Sequence, residues 1–222
     1  MNTGFVVLPD GCPTDPTWLF ESPQVMTHPS GKPWLVGRWD ADEIVRVQAG
    51  SVCAVVIGHC PVTTARLIRL VERVQSPSDA SALARELPGS YHLIVASPEG
   101  TTVRGTITGL RQIFHTRVNG HPVASDRPDT LALLTGAGVD EGVLAARLAT
   151  GGLLPAPLGT ASVWSGIRTV SDDHCLLITG GRAQEIPWWR AAGPPDPPGR
   201  GGGGAGARAP GPERRRPRGP PR

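Results

Sequence analysis

Apolar and polar positions recur along this chain in two rhythms, and the changes of rhythm mark its elements. Gly4 and the apolar run Phe5 to Leu8 predict a short buried strand, stopped by Pro9-Asp10-Gly11. A Pro-rich, partly polar connection reaches to about residue 33, and short strands are predicted at 34–36 and 44–47. After Ala49-Gly50, residues 52–57 are continuously apolar, which predicts a strand covered on both faces. From 63 to 74 the spacing turns helical through Ala65, Leu67, Ile68, Val71 and Val74, with Thr63 or Thr64 available to cap the free amides. A second helix is predicted from a cap at Ser78 or Asp79 to Leu87, stopped by Pro88-Gly89.

The period then returns to that of strands. Segments 91–97, 102–106, 113–118 and 122–124 are separated by Pro98-Glu99-Gly100, Gly109 and Asn119-Gly120. The Asn-Gly pair is a two-residue hairpin signal, because both turn positions need φ > 0. Helical patterns at 128–135 and 140–149 follow, the second with Asp140 as N-cap, and a last hairpin is predicted at 175–179 and 183–186 around Gly180-Gly181. Trp188-Trp189-Arg190 closes the ordered part. The expected class is α+β with largely antiparallel sheets.

Composition divides the chain further. Residues 193–222 are Gly, Pro, Arg and Ala apart from Asp196 and Glu213, so they can form no core and predict a disordered tail over 191–222. The tail's 7 arginines and 2 acids give it +5, which leaves residues 1–192 at −2 out of the chain's net +3. A basic nucleic-acid-binding body is therefore excluded, because counterion release needs clustered cations on the docking surface. Lys32 is the only lysine beside 21 arginines, as in a GC-rich gene, so single arginines and the Arg214-Arg215-Arg216 run carry less functional weight. No apolar run approaches the ~20 residues of a membrane span, and no secretory leader is visible. The expected location is the cytoplasm, with Cys12, Cys53, Cys60 and Cys175 as thiols.

Several strings, taken in order over about 85–190, resemble the N-terminal glutaminase-like domain of the asparagine synthetase family. They are Gly89-Ser90-Tyr91-His92-Leu93-Ile94-Val95, Gly109-Leu110-Arg111-Gln112-Ile113-Phe114, Ala124-Ser125-Asp126 followed by Leu131, and Trp164-Ser165-Gly166-Ile167-Arg168-Thr169-Val170 with Trp188-Trp189-Arg190. Their flavour is similar to the family's lasso peptide cyclases. The resemblance implies a four-layer α-β-β-α sandwich of the N-terminal-nucleophile hydrolase type over 1–190. It also implies a precursor peptide and other lasso biosynthesis proteins as partners, with no nucleic acid and no membrane.

The resemblance carries its own departures. Glutamine-hydrolysing members use a cysteine at the second position, its thiolate aided by the free α-amine, and here that residue is Asn2. Where the family has an Asn-Gly pair at the oxyanion, this chain reads Ile57-Gly58-His59, and isoleucine donates no hydrogen bond. Residues 58–89 are also too few for the segment carrying the family's substrate-binding acid. The expectation is a retained fold without glutaminase activity and with no catalytic, cofactor or metal residues of its own. ATP and magnesium belong to a following synthetase domain, whose Ser-Gly-Gly-x-Asp-Ser loop is absent; the tail reads like a frame change near codon 191.

Three residues are candidate contacts for a peptide carboxylate or a partner domain: Arg104 and Arg111, which flank a strand and its turn, and His115, which with His92 and His121 lies on or beside predicted strands. Solvated arginines and satisfied strand histidines are the alternative. Asp126 is read as a helix N-cap, Cys53 and Cys175 as core rather than metal ligands beside His59 and Cys60, and Trp164, Trp188 and Trp189 as packing bodies. The competing functions are a stand-alone peptide- or protein-binding module and a self-processed amidohydrolase using Cys12.

Overall fold

A computed structural model describes residues 4–152, 154 and 158–190. The first half contains β1 (Gly4–Val7), β2 (Gln24–Thr27), β3 (Pro33–Arg38), β4 (Ile44–Ala49) and β5 (Val52–His59), then α1 (Thr64–Val71) and α2 (Pro77–Glu86). A meander follows, β6 (Ser90–Ser97), β7 (Gly100–Arg104), β8 (Phe114–Val118) and β9 (His121–Ser125). The last elements are α3 (Pro128–Thr135), α4 (Glu141–Ala149), β10 (Arg168–Thr169), β11 (His174–Thr179) and β12 (Arg182–Pro187).

The strands form two six-stranded sheets, ordered β10-β8-β9-β1-β3-β2 and β12-β11-β7-β6-β5-β4, and every pairing is antiparallel. The α+β class with antiparallel sheets is as the sequence predicts. Period-two alternation sorts side chains into layers. In β1, Phe5 and Val7 join Val55, Ile57, Ile94 and Leu176 in a cluster between the two sheets, while Val6 joins Val36, Val123 and Leu131 of α3 on the outer face. In β5 and β6, Val56, Tyr91 and Leu93 pack instead with Leu67 and Val71 of α1 and Leu83 of α2. Helices thus cover the outer faces of both sheets. Both faces of 52–57 are covered, as its unbroken apolar run requires.

Turn chemistry pins the registers. Asn119 and Gly120 have φ of +51° and +82°, and Gly180 and Gly181 have +53° and +70°, so both predicted hairpins close on left-handed residues. Thr63 caps α1 by accepting from Arg66 N–H at 3.3 Å, and Asp140 caps α4 by accepting from Val143 N–H at 3.0 Å.

Four local expectations need correction. The connection to residue 33 contains a strand, β2, whose mostly exposed edge position gives it no apolar signature. The cap of α2 is Ser76, not Ser78 or Asp79: Ser76 Oγ accepts from Asp79 N–H at 3.3 Å while Asp79 Oδ2 accepts from Ser76 N–H at 2.9 Å, with Pro77 opening the first turn. The strand placed at 102–106 runs instead from Gly100 to Arg104, because Thr106 N–H turns away to bond Arg111 C=O at 2.9 Å. A Cβ at Gly105 would lie 1.7 Å from that same carbonyl, so only glycine allows the loop to close. Finally, α3 has Arg127 at its N-cap with no side-chain cap, and Asp126 serves another purpose described below.

The proposed boundary at 190/191 and the tail lie at and beyond the end of the described residues, and Asn2 and Thr3 lie before their start.

Candidate functional site

An open cleft of about 390 Å³ lies where the two sheets meet the 105–113 loop, lined by Ser90, His92, Leu110, Arg111, Gln112 and Asp126. Each wall has a local cause. Ser90 and His92 belong to β6, and alternation turns Tyr91 and Leu93 to the helices and His92 the other way, edge-on to Phe5 with centroids 5.1 Å apart. Leu110 and Arg111 sit on the turn made by Gly109, whose φ is +69° and whose N–H bonds Thr106 C=O at 3.1 Å. Asp126 follows β9. It accepts from Phe5 N–H through Oδ1 at 2.8 Å, while the fully buried Ser125 donates its hydroxyl to Phe5 C=O at 2.7 Å. The Ser125-Asp126 pair therefore clamps both polar groups of one residue in β1.

The electrostatics of this cleft are uneven. His92 is 4% exposed, and burial, helped by the Arg111 charge, pushes its pKa down to about 4, so the ring is neutral. Its Nε2 faces the Gln112 carbonyl at 3.2 Å and must carry the proton, which leaves Nδ1 as a buried acceptor without a partner. Asp126 is pushed up to about 6 by burial despite its Phe5 hydrogen bond. The Arg111 guanidinium forms no ion pair and no hydrogen bond among the described residues. It lies over β5 at Gly58, where a Cβ would come within 2.7 Å of its Cζ and Nη2.

The three predicted contact residues are not brought together. Arg104 is 5% exposed and turned into the helix side of the second sheet. It donates to Tyr91 Oη and Gly105 C=O, both at 2.7 Å, and its guanidinium lies 4.3 Å from the Trp188 ring centre. Burial lowers its pKa and raises that of Tyr91 to about 12. Arg111 alone lines the cleft. His115 is half-buried on β8, its Nε2 4.0 Å from Glu185 on β12, and burial lowers its pKa.

Among the described residues no three His, Cys, Asp or Glu side chains are grouped to hold a metal, and no helix is long and apolar enough to cross a membrane. Cys175 is buried in the helix-side cluster and Cys12 in the outer cluster with Val6, Leu8 and Phe20. Trp188 is buried, its indole N–H donating to Asp172 C=O at 3.1 Å, while Trp164 is half-buried and Trp189 more exposed. Gly180-Gly181 is a hairpin turn, and Gly151 follows α4 in left-handed conformation. Sequence reading did not single out Ser90, Leu110, Gln112 or Asp126 as site residues. All four lie inside the strings quoted above, but only the fold brings them to one place.

The chain is thus an α+β protein with two facing antiparallel sheets, helices outside them, and one polar cleft at the joint. No family model matches its sequence, and no curated protein matches it. Among solved structures it is similar to glutamine phosphoribosylpyrophosphate amidotransferase from B. subtilis complexed with ADP and GMP, at 12% identity and a TM-score of 0.46. It is similar also to a structure described as the allosteric regulatory enzyme of purine biosynthesis, at 12% identity and a TM-score of 0.45. Each likeness covers 72% of this chain and 36% of the other, so this chain spans about a third of the length of those proteins.

Proposed function

We propose that residues 4–190 are a glutaminase-type domain of the N-terminal-nucleophile hydrolase architecture that has lost glutamine hydrolysis. In this reading it serves as the supporting domain of an asparagine-synthetase-like lasso peptide cyclase. The observation that carries it is the environment of Ile57-Gly58-His59. Ile57 is buried in the inter-sheet cluster and offers no donor, and the Arg111 guanidinium occupies the space a side chain at 58 would need. An oxyanion formed there would meet the Arg111 guanidinium where the family that the chain resembles places an asparagine amide. His92 beside it has Nε2 hydrogen-bonded to the Gln112 carbonyl, and with its pKa pushed down to about 4 by burial its Nδ1 is a weak base.

In such a cyclase, ATP with magnesium would activate a carboxyl side chain of a precursor peptide, and the peptide's own amine would close the macrolactam. Those steps belong to a synthetase domain, and this chain's share is to support that domain and the peptide. Purified protein is expected to release no ammonia from glutamine and to exchange no pyrophosphate with ATP. Detection of ammonia release, abolished by a substitution in the cleft, overturns the reading. Translating the other two frames from codon 180 onward tests the synthetase half, which predicts a Ser-Gly-Gly-x-Asp-Ser loop within about 60 codons.

A further inference from the structure

We infer that the cleft binds the carboxylate of a peptide-like ligand, with Arg111 as the anion contact, His92 Nδ1 as acceptor for a ligand N–H, and Gly58 as the residue that positions Arg111. This rests on the preceding reading only in taking the cleft as the working end of the domain.

Arg111 is the first ground. A guanidinium presents five donors in a planar fork suited to a carboxylate, and arginine in folded proteins usually finds an acid or carbonyl. Arg127 does so with Asp129 at 2.7 Å, and Arg147 with Ala161 C=O at 2.7 Å. The Arg111 guanidinium has none among the described residues, although its backbone is fixed by Arg111 N–H to Thr106 Oγ1 at 3.1 Å and Arg111 C=O to Thr106 N–H at 2.9 Å. The nearest acid in the cleft, Asp126, already spends Oδ1 on Phe5 N–H.

His92 is the second. A buried acceptor without a partner costs about 1–3 kcal/mol, and the cleft wall is where a ligand N–H relieves it. Leu110, 80% exposed on the rim, adds an apolar surface for an aliphatic stem. A cation, an acceptor and an apolar rim in about 390 Å³ describe an acyl-amino acid, not a bare inorganic anion.

Gly58 makes the arrangement possible. Its φ of +117° favours glycine, and an added Cβ would meet Arg111 Cζ and Nη2 at 2.7 Å and Ser90 C=O at 2.8 Å. Any larger residue there displaces the guanidinium from its seat on β5.

The carboxylate has two possible sources, a chain end or an acidic side chain, and the test separates them. The full chain, labelled with ¹⁵N-arginine, is titrated with N-acetylglycine, which carries a chain-end carboxylate, and with N-acetylglutamic acid α-amide, which carries a side-chain one. The Arg111 Nε–H signal is expected to shift saturably with at least one probe, and sodium sulfate at equal concentration is expected not to compete. Arg111→Gln, a loop substitution that leaves the core intact, should weaken binding at least tenfold. Gly58→Ala should weaken it similarly while moving the Arg111 signal in the free protein. Absence of saturable binding by both probes overturns the proposal, as does unchanged affinity in Arg111→Gln or displacement by sulfate. Should Gly58→Ala fail to fold, the Arg111 and sulfate arms still decide the proposal. Failure here leaves the loss of glutaminase untouched, and ammonia release would overturn that loss while leaving carboxylate binding standing.

Discussion

Arg104 and Arg111 stand seven positions apart on either side of one loop, and the fold treats them in opposite ways. Arg104 is enclosed between the second sheet and its helices, donating to Tyr91, Gly105 and, at 3.5 Å, Ala84, with Trp188 over its face. Arg111 is held by its backbone while its guanidinium, unpaired among the described residues, lies over Gly58 at the cleft. The first arginine is part of what holds the domain together; the second has its donors left for something else. Two residues of one type, at either end of one loop, differ in whether their polar groups are satisfied, and that difference marks Arg111 rather than Arg104 as the candidate contact.

The largest test of that contrast is removal of each guanidinium. Arg104→Ala should destabilise the protein by about 3 kcal/mol, since it opens a cavity under Trp188 and strips donors from the Tyr91 hydroxyl and the Gly105 carbonyl. A urea unfolding midpoint lowered at constant slope is the expected result, and a shift of less than about 0.5 kcal/mol would put Arg104 in the same class as Arg111.

Next in size is the acid response of the cleft. Asp126, raised to about 6, favours its protonated form in the fold, so it contributes stability that is present at low pH and is lost as pH rises from about 4 through 6. His92, lowered to about 4, contributes stability that is present above its ordinary 6.5 and is lost as pH falls through 4. The two slopes oppose each other over the same window. Asp126→Asn should expose the His92 term alone, so the variant loses about 2–3 kcal/mol more than the parent between pH 7 and pH 4. Equal pH dependence of the two proteins, read from thermal unfolding, would contradict this pairing.

A smaller effect sharpens the contrast away from both arginines. Ser76→Ala removes the capping box of α2 and should cost about 1 kcal/mol. Smallest of all is Arg111→Gln, whose folding stability is expected to stay within about 0.5 kcal/mol of the parent, because no bond of its guanidinium is lost.

Much of the scaffold was legible from local chemistry. The Asn119-Gly120 and Gly180-Gly181 turns, the Thr63 and Asp140 caps and the unbroken apolar run at 52–57 each signal their element without help from the rest of the chain. β2 was not legible, because its residues are mostly exposed and its edge position needs only a neighbour's backbone. The Ser76 cap is signalled by Ser76-Pro77-Ser78-Asp79, a serine with an acid three residues on and a proline between, but Ser78 and Asp79 are equally capable capping side chains by residue type. The site was legible in part. Arg111 carries a signal in its turn, whereas Arg104 carries a similar one and is buried, a difference set by which way the chain leaves β7. Asp126 looks like a cap from its place before a helix; only the approach of β1 from 121 residues away gives it Phe5 to bind.

The central proposal is that the domain has a glutaminase-type scaffold without glutaminase chemistry, and the most direct test is ammonia release from glutamine by the purified chain. The expected result is a rate indistinguishable from glutamine in buffer, unchanged by Arg111→Gln. Ammonia release above that background, abolished by a substitution at His92 or Arg111, would contradict the account and make the cleft a working active site.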